Sequence, residues 1–510
     1  MQNRFRRQKN GPKPLGDVTD SAEHGSITLA AGKIDLRRWF FIVLGLSLFL
    51  IIYFSSAWPD AVDPQGKHFV LTREGKAALG LLVMAVIWWV FEVIPIGVTS
   101  ITIGVIQALF MIRDAKVAFS DFLDPSVWFI LGSLVIGLAF TRTGLAGRAA
   151  YKMLTLVGEK TSMIYLGCFT LTAGLTLIMA HTAVAAAVFP ILMVVYRLYE
   201  KGDRPTRFGK GLFIGMAFTA GAGSIITLLG SARAAVAVGF FRDMVGREIS
   251  FFELSYYMFP LGAMMVILIW VLILLLLKPE RKTLPGLRQR ALALAAELGP
   301  ITRAEISTLV IVFAAVGVMC LRSFIPALEP LNKTALILIT TILFFLFRIL
   351  TLKDLEDIPW NIVLLFGGSM SIGFCLWQTG AAEWVAIEWL GMFTDAHWFI
   401  FIMGVALLIL VITNFIMNVA AIAITLPVAL VMARYLHVAP EIIFFASLVA
   451  AGMPFLLLIG TAPNAMAYES RQFSAWEFFL YGIPATVVLV LVLALFVGFV
   501  WPLMGMPTTL

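Results

Sequence analysis

Residues Thr176 to Pro190 read TLIMAHTAVAAAVFP, and this stretch governs how the rest of the chain is understood. It lies inside apolar sequence, yet it carries a histidine, a threonine and a run of alanines and valines. A helix here has one thin polar face and little side-chain bulk, so another backbone or a small solute can approach closely. Thr413 to Pro427, TNFIMNVAAIAITLP, has the same build. Aligned, Ala180-His181-Thr182 meets Met417-Asn418-Val419 and Pro190 meets Pro427, both 237 positions apart. Two apolar segments interrupted by polar groups at matching places in two halves point to a solute-binding site near the middle of a membrane.

The composition agrees. The 510 residues are 61% hydrophobic and 13% charged, with a mean hydropathy of +0.96. So few charges cannot cover that much apolar surface in water, so the chain reads as an all-α polytopic membrane protein set in a lipid bilayer. The net charge of +7 does not indicate nucleic acid, because the basic residues gather in loops and at the start, where they orient a membrane protein. Cys168, Cys320 and Cys375 lie far apart in apolar runs and read as buried thiols, neither disulfide nor metal ligands. Residues 1–36 are polar and basic without an apolar core, and read as a disordered cytoplasmic tail.

Thirteen apolar spans are predicted, at about 38–58, 77–96, 98–112, 125–143, 162–179, 211–232, 254–278, 304–323, 334–349, 360–378, 397–416, 441–459 and 476–501. The pieces after Thr182 and after Val419 read as return arms of hairpins that enter the membrane and turn back. Arg197, Lys201, Arg204, Arg207 and Lys210 crowd one loop, and Lys278, Arg281, Lys282, Arg288 and Arg290 another, so both are predicted cytoplasmic. The expected organisation is a first repeat over 37–277, a linker over 278–303 and a second, inverted repeat over 304–510. The first repeat has a hairpin near 162–196 and a broken helix over 211–240. The second has a hairpin near 397–435 and a broken helix over 441–468. The N-terminus is then cytoplasmic and the C-terminus outside. A longer echo supports the repeat: WFILGSLVIGLAFTRTG from Trp128 and WNIVLLFGGSMSIGFCLWQTG from Trp360 align Gly132 with Gly368 and Gly144 with Gly380. Each half also has a glycine-broken helix, at Gly221–Arg233 and at Gly452–Asn464, where freed amides form a ready anion site.

These residues resemble the divalent anion/sodium symporter family of carboxylate and sulfate transporters. WWVFEVIPIGVTS from Trp88, NIVLLFGGSMSIG from Asn361 and GTAPNA from Gly460 carry the resemblance. The family's two Ser-Asn-Thr hairpin tips fall on 180–182 and 417–419, and its two GTPPN loops on 230–234 and 460–464. The resemblance implies an elevator-type ion-transporter architecture, a homodimer, and a small anionic substrate held with Na+ between hairpin tips and broken-helix loops.

The departures shape the expected site. Ala180 and His181 replace serine and asparagine at the first tip, and Met417 and Val419 replace serine and threonine at the second. Arg233 and Ala234 replace proline and asparagine in the first loop, with Ser231 in place of threonine. Sodium needs oxygen ligands, so the first sodium site is expected to be absent. Thr413, Asn418 and Gly460 retain the elements of a second. His181, Thr182, Ser231, Arg233, Asn418, Val419 and Thr461 are the expected substrate-binding residues. Arg233, aided by His181, is expected to supply the charge that the first sodium supplies in relatives; alternatively it reaches an aqueous edge or pairs with loop carbonyls. His181 permits proton coupling; alternatively it is neutral and bonded to a backbone carbonyl. Glu92 reads as a structural residue at a span end, Asp121, Asp124, Asp354 and Asp357 as helix N-caps or interfacial groups, and Trp88, Trp89, Trp128, Trp360, Trp389 and Trp398 as interfacial anchors.

The function expected is secondary active transport of small anions, di- or tricarboxylates first, coupled to Na+ or H+. The alternatives are a sodium-independent exchanger, a carrier of sulfate or another oxyanion, or an uncoupled channel-like or receptor protein. Tip residues with fewer hydroxyls also allow a monocarboxylate or a more apolar acid. No nucleophile and base are placed together and no phosphate loop or HExxH pair occurs, so neither an enzyme nor a nucleotide-driven pump is indicated.

Overall fold

The computed structural model describes residues 36–62, 67–200, 204–390 and 397–510. The tail read at 1–36 therefore lies outside the described residues except for Leu36, and so does Lys201. The first part of the chain forms α1 (Leu36–Phe54), a small antiparallel pair β1 (Ala61–Val62) and β2 (His68–Phe69), α2 (Arg73–Val90), α3 (Ile96–Leu109), α4 (Ala115–Ser120), α5 (Pro125–Thr143) and α6 (Leu145–Val157). Next come α7 (Thr161–Leu175), α8 (His181–Tyr199), α9 (Arg207–Ser224), α10 (Ala232–Val245), α11 (Phe251–Leu276) and α12 (Leu287–Glu297). The second part forms α13 (Arg303–Leu321), α14 (Lys333–Leu346), α15 (Leu352–Glu356), α16 (Trp360–Gln378), α17 (Ala381–Leu390), α18 (Trp398–Phe415) and α19 (Asn418–Tyr435). It closes with α20 (Pro440–Gly452), α21 (Ala462–Glu469), α22 (Ala475–Leu495) and α23 (Trp501–Leu503).

Among the described residues, nine helical stretches are long and apolar enough to cross a bilayer. Several expected spans are shorter. The span read at 98–112 is the 14-residue α3, and the one read at 441–459 stops at Gly452 after 13 residues. The Gly-Met-Pro sequence ends α20, because proline cannot continue the hydrogen-bond ladder.

Contacts at the two ends of the 26-residue α11, about 39 Å long, show how the hairpins lie. Thr161 at the start of α7 donates its amide to the Lys282 carbonyl (3.0 Å), and Leu284 donates to Glu159 (2.8 Å). The Glu280 carboxylate accepts from the amides of Arg207 (2.5 Å) and Phe208 (3.2 Å) and from the Tyr199 hydroxyl (3.0 Å). Both ends of the α7–α8 pair thus meet the loop that follows α11. At the other end, Arg247 bridges Glu253 (2.6 Å) and Glu441 (2.8 Å), and Arg434 at the end of α19 donates to the Met244 carbonyl. Phe399 at the start of α18 lies against Gly498, and Leu510 donates to His437 (2.9 Å). Both ends of the α18–α19 pair therefore lie at the opposite end of α11.

Close packing of α7 on α9 follows from a stripe of glycines. A Cβ on Gly211 would lie 2.5 Å from the Tyr165 hydroxyl, on Gly215 1.9 Å from Phe169 Cζ, and on Gly223 2.3 Å from Thr176 Oγ1. In a bilayer the hydrophobic effect does not press helices together, so small residues that permit intimate contact supply the association. A smaller cluster joins α1–α3 to α16 and α17. Trp88 and Trp89 belong to it, each 6% exposed, so these two are core residues and not the interfacial anchors expected from sequence. Asp121 is likewise no N-cap: it accepts from buried Arg113 (2.7 Å), which also donates to Gln107 (3.1 Å) and Gln378 (3.0 Å) and ties α3 to α16. All three cysteines are free thiols.

At the linker, Arg148 grips Glu305 through two nitrogens (2.7 and 3.1 Å), and Glu305 also accepts from the Thr302 amide (2.6 Å). Glu305→Gln leaves Arg148 without its carboxylate partner and is expected to lower the melting temperature. Gly215→Ala is expected to destabilise the protein by about 1–3 kcal/mol through forced separation of α7 and α9. Thermal unfolding of purified variants in detergent checks both, and unchanged midpoints would contradict them.

Candidate functional site

Four helices begin in the interior of the molecule: α8 at His181, α10 at Ala232, α19 at Asn418 and α21 at Ala462. α8 and α21 run to one end, where Gln472, just past α21, accepts from the Thr206 amide (3.3 Å). α10 and α19 run to the other, where Arg434 meets Met244. The residues before the four starts pair across the halves. Ala180 (φ −58°, ψ 137°) matches Met417 (φ −58°, ψ 140°), and Ser231 (φ −157°, ψ 134°) matches Thr461 (φ −149°, ψ 152°). None of these four residues caps its helix with its side chain. Six helices that begin at the ends of the molecule use side-chain caps, from Thr72, Thr206, Ser250, Thr302, Asn332 and Ser474, while α3, α7, α16 and α20 begin there without one. The interior starts therefore keep amide donors and the positive end of each helix dipole uncovered by side-chain caps, an arrangement suited to an anion.

The broken backbone is held by a few polar groups. The Gly230 carbonyl accepts from the His181 amide (3.0 Å) and is bonded to His181 Nδ1 (3.1 Å). A carbonyl only accepts, so Nδ1 carries the proton and Nε2 is left as an acceptor. This is the arrangement in which the histidine is bonded to backbone. Thr227 donates to Leu177 (2.9 Å) and Ser133 to Leu229 (3.2 Å). In the second half the Asn414 side-chain oxygen accepts from the amides of Leu456 (2.9 Å) and Leu457 (3.2 Å). Asn464 donates to the carbonyls of Pro454 (2.8 Å) and Leu457 (3.1 Å). Asn414 was not singled out from sequence, although a second polar residue beside Thr413 in the apolar run was a visible signal.

Arg233 is 1% exposed. Its Nη1 donates to Ser231 Oγ (2.6 Å) and its Nη2 to Ser224 Oγ (2.9 Å). A Cβ on Gly452 would lie 2.7 Å from Nη2. The guanidinium thus rests between the C-terminal ends of α9 and α20, where helix dipoles favour a cation. Among the described residues both of these bonds go to hydroxyls and Arg233 forms no ion pair. Ser224 and Gly452, which shape its seat, were legible only as parts of the glycine-rich breaks.

The remaining expected residues fall as follows. Thr413 Oγ1 donates to the Ala451 carbonyl (3.0 Å), and the Thr413 carbonyl lies 2.8 Å from where a Cβ on Gly460 would stand, so these two meet. Gly230 bears the same relation to the Thr176 carbonyl, at 2.6 Å. Asn418 is 3% exposed, and its Nδ2 has no hydrogen-bond partner among the described residues. Thr461 is buried at the start of α21, Val419 is buried in the core, and Thr182 is half-buried one residue past His181.

Comparison with known proteins places this architecture. The family described as the sodium:sulfate symporter transmembrane region matches residues 39–507. The sodium-dependent dicarboxylate transporter SdcS of Staphylococcus saprophyticus is 23% identical over 461 residues, covering 86% of this chain and 89% of that protein. The protein of the same name from Staphylococcus aureus strain NCTC 8325 is 23% identical over 454 residues, covering 85% and 87%. Among solved structures, the Alcanivorax borkumensis YdaH transporter superposes with a TM-score of 0.51 at 13% identity, over 92% of this chain and 98% of that one. Neisseria gonorrhoeae MtrF gives 0.54 at 11% identity, over 90% and 93%. The two structures share the fold, while the family match spans nearly the whole chain. The chain belongs to the sodium:sulfate symporter family of membrane transporters.

Proposed function

We propose that this protein is a secondary active transporter of di- or tricarboxylates, coupled to Na+ and working as a homodimer by an elevator motion. The observation that carries this reading is the set of four interior helix starts without side-chain caps, together with a buried arginine that has no carboxylate partner. Removing an anion from water without compensation costs several kcal/mol or more. Uncapped amides and a resident positive charge offset that cost. The relatives named as sodium-dependent dicarboxylate transporters support the substrate class and the coupling ion.

In this reading the carboxylates are bound by His181, Thr182, Ser231, Asn418, Val419 and Thr461 with Arg233 behind them. The guanidinium takes the place of the first sodium ion, for which Ala180 and His181 supply no suitable oxygens. The second sodium ion lies by Thr413, Asn418 and Gly460, where the Thr413 carbonyl already approaches the Gly460 backbone. The opposed hairpins and the matched cap dihedrals support two inverted repeats, 37–277 and 304–510. The basic loops near Arg207 and Arg281, which meet through Glu280 and Tyr199, support a cytoplasmic face on that side. The C-terminus is then outside and the N-terminus inside.

Counterflow in proteoliposomes tests this with succinate, citrate and sulfate, with and without sodium and across a pH step. Sodium-dependent accumulation of a carboxylate is expected, and equilibration without accumulation would contradict coupled transport. Arg233→Ala is expected to lower uptake at least about tenfold, since losing a buried charged partner costs about 2–5 kcal/mol. Unchanged uptake in that variant would remove the charge role.

A further inference from the structure

A cleft of about 400 Å³ reaches from one face of the molecule to the tip of the α18–α19 hairpin at Met417. Its rim carries charge: Arg37, Arg38 and Glu92 line it. Arg38 Nε is pinned to the Val93 carbonyl (2.6 Å). Glu92 stands in the turn between α2 and α3 at φ +44°, a conformation that side-chain-bearing residues rarely adopt. One side of the cleft is aromatic, where Phe41, Phe91 and Phe415 face the same space. Phe41 and Phe91 stack at 3.6 Å, and Phe91 and Phe415 remain 42% and 52% exposed. The rim is tied to the linker face. Gly97, after the turn, donates to Asn361 at the start of α16 (2.8 Å); Asp357, just before α16, pairs with Arg142 (2.7 Å); and Arg148 on the next helix binds the Gly299 carbonyl (3.0 Å).

An arginine pair above an aromatic wall is not what a small, fully hydrated dianion requires. It is suited to a molecule with a carboxylate at one end and hydrocarbon behind it. The hairpin tip agrees, since Met417 and Ala420 line the cleft with thioether and methyl groups and no hydroxyl. We propose that this cleft is the vestibule on the linker side of the anion path, and that it selects organic anions with an apolar body. Arg37 and Arg38 draw the carboxylate in, and Phe41, Phe91 and Phe415 take the hydrocarbon. This rests on the transport reading above and adds to it a substrate class, longer-chain or aryl carboxylates ahead of succinate or sulfate. The same chemistry could come from an anionic lipid, so the test separates the two sources.

The full chain carrying Phe415→Cys is placed in nanodiscs of phosphatidylcholine, and its reaction with anionic and cationic methanethiosulfonates is timed. The anionic reagent is expected to be favoured, and Arg37→Gln with Arg38→Gln is expected to cut that preference about two- to tenfold, as two screened charges at this range would. Glu92→Gln should raise it. α,ω-Dicarboxylates should slow labelling, with protection improving about two- to fourfold per added methylene from succinate to suberate. Equal protection by succinate, suberate and sulfate would overturn the inference. So would an unaltered reagent preference, or protection seen only when phosphatidylglycerol is added. Sodium-driven uptake is measured on wild-type protein alongside. Uptake without protection sinks the vestibule alone, and protection without uptake sinks coupled transport alone.

Discussion

Backbone that leaves the helix inside a membrane must have its polar groups satisfied, and this constraint organises the structure. Water is not at hand to take the orphaned amides and carbonyls, so protein must do so. In the first half His181 does it twice over, through its amide and its ring, at the single carbonyl of Gly230. In the second half two asparagines do it from opposite sides, Asn414 accepting from amides and Asn464 donating to carbonyls. The long helices around them serve to enclose these breaks. The glycine stripe on α9 matters for the same reason, because it brings α7 close enough to seal the first break.

Once the breaks are held, electrostatics follows. Helices that start in the interior aim their positive ends at one region, and helices that stop there, α9 and α20, leave their negative ends beside it. A mobile cation would suit the latter position. Here Arg233 occupies it on a side chain of its own, with Ser224 and Ser231 as partners and Gly452 leaving room for the guanidinium. A tethered cation cannot be lost or exchanged, so its charge is always present, whereas a sodium ion arrives and departs with the cycle. The difference bears on how much of an ion gradient each turnover uses.

Much of this was legible from residues 176–190 and 413–427 alone. Helix starts at His181 and Asn418 follow from the polar interruptions, and the end of α20 follows from Gly452-Met453-Pro454. The echo between the stretches from Trp128 and from Trp360 is what led to the expectation of paired halves. What stayed hidden was chiefly partner choice. That Arg113 and Asp121 pair inside the bundle depends on α16 bringing Gln378 and Ser371 to them from 250 positions or more away, which no local pattern carries. Trp88 and Trp89 looked like interfacial residues by type, yet α1 and α3 cover them. Span lengths were overestimated wherever hydrophobicity ran on through a break, because hydropathy does not register that a backbone has stopped being helical.

The ratio of sodium ions to organic anion tests the central claim most directly. It is obtained from the steepest anion gradient that a fixed sodium gradient sustains in sealed proteoliposomes. With Arg233 standing in for one ion, one sodium per anion is expected. Two or more would contradict a resident arginine in that role.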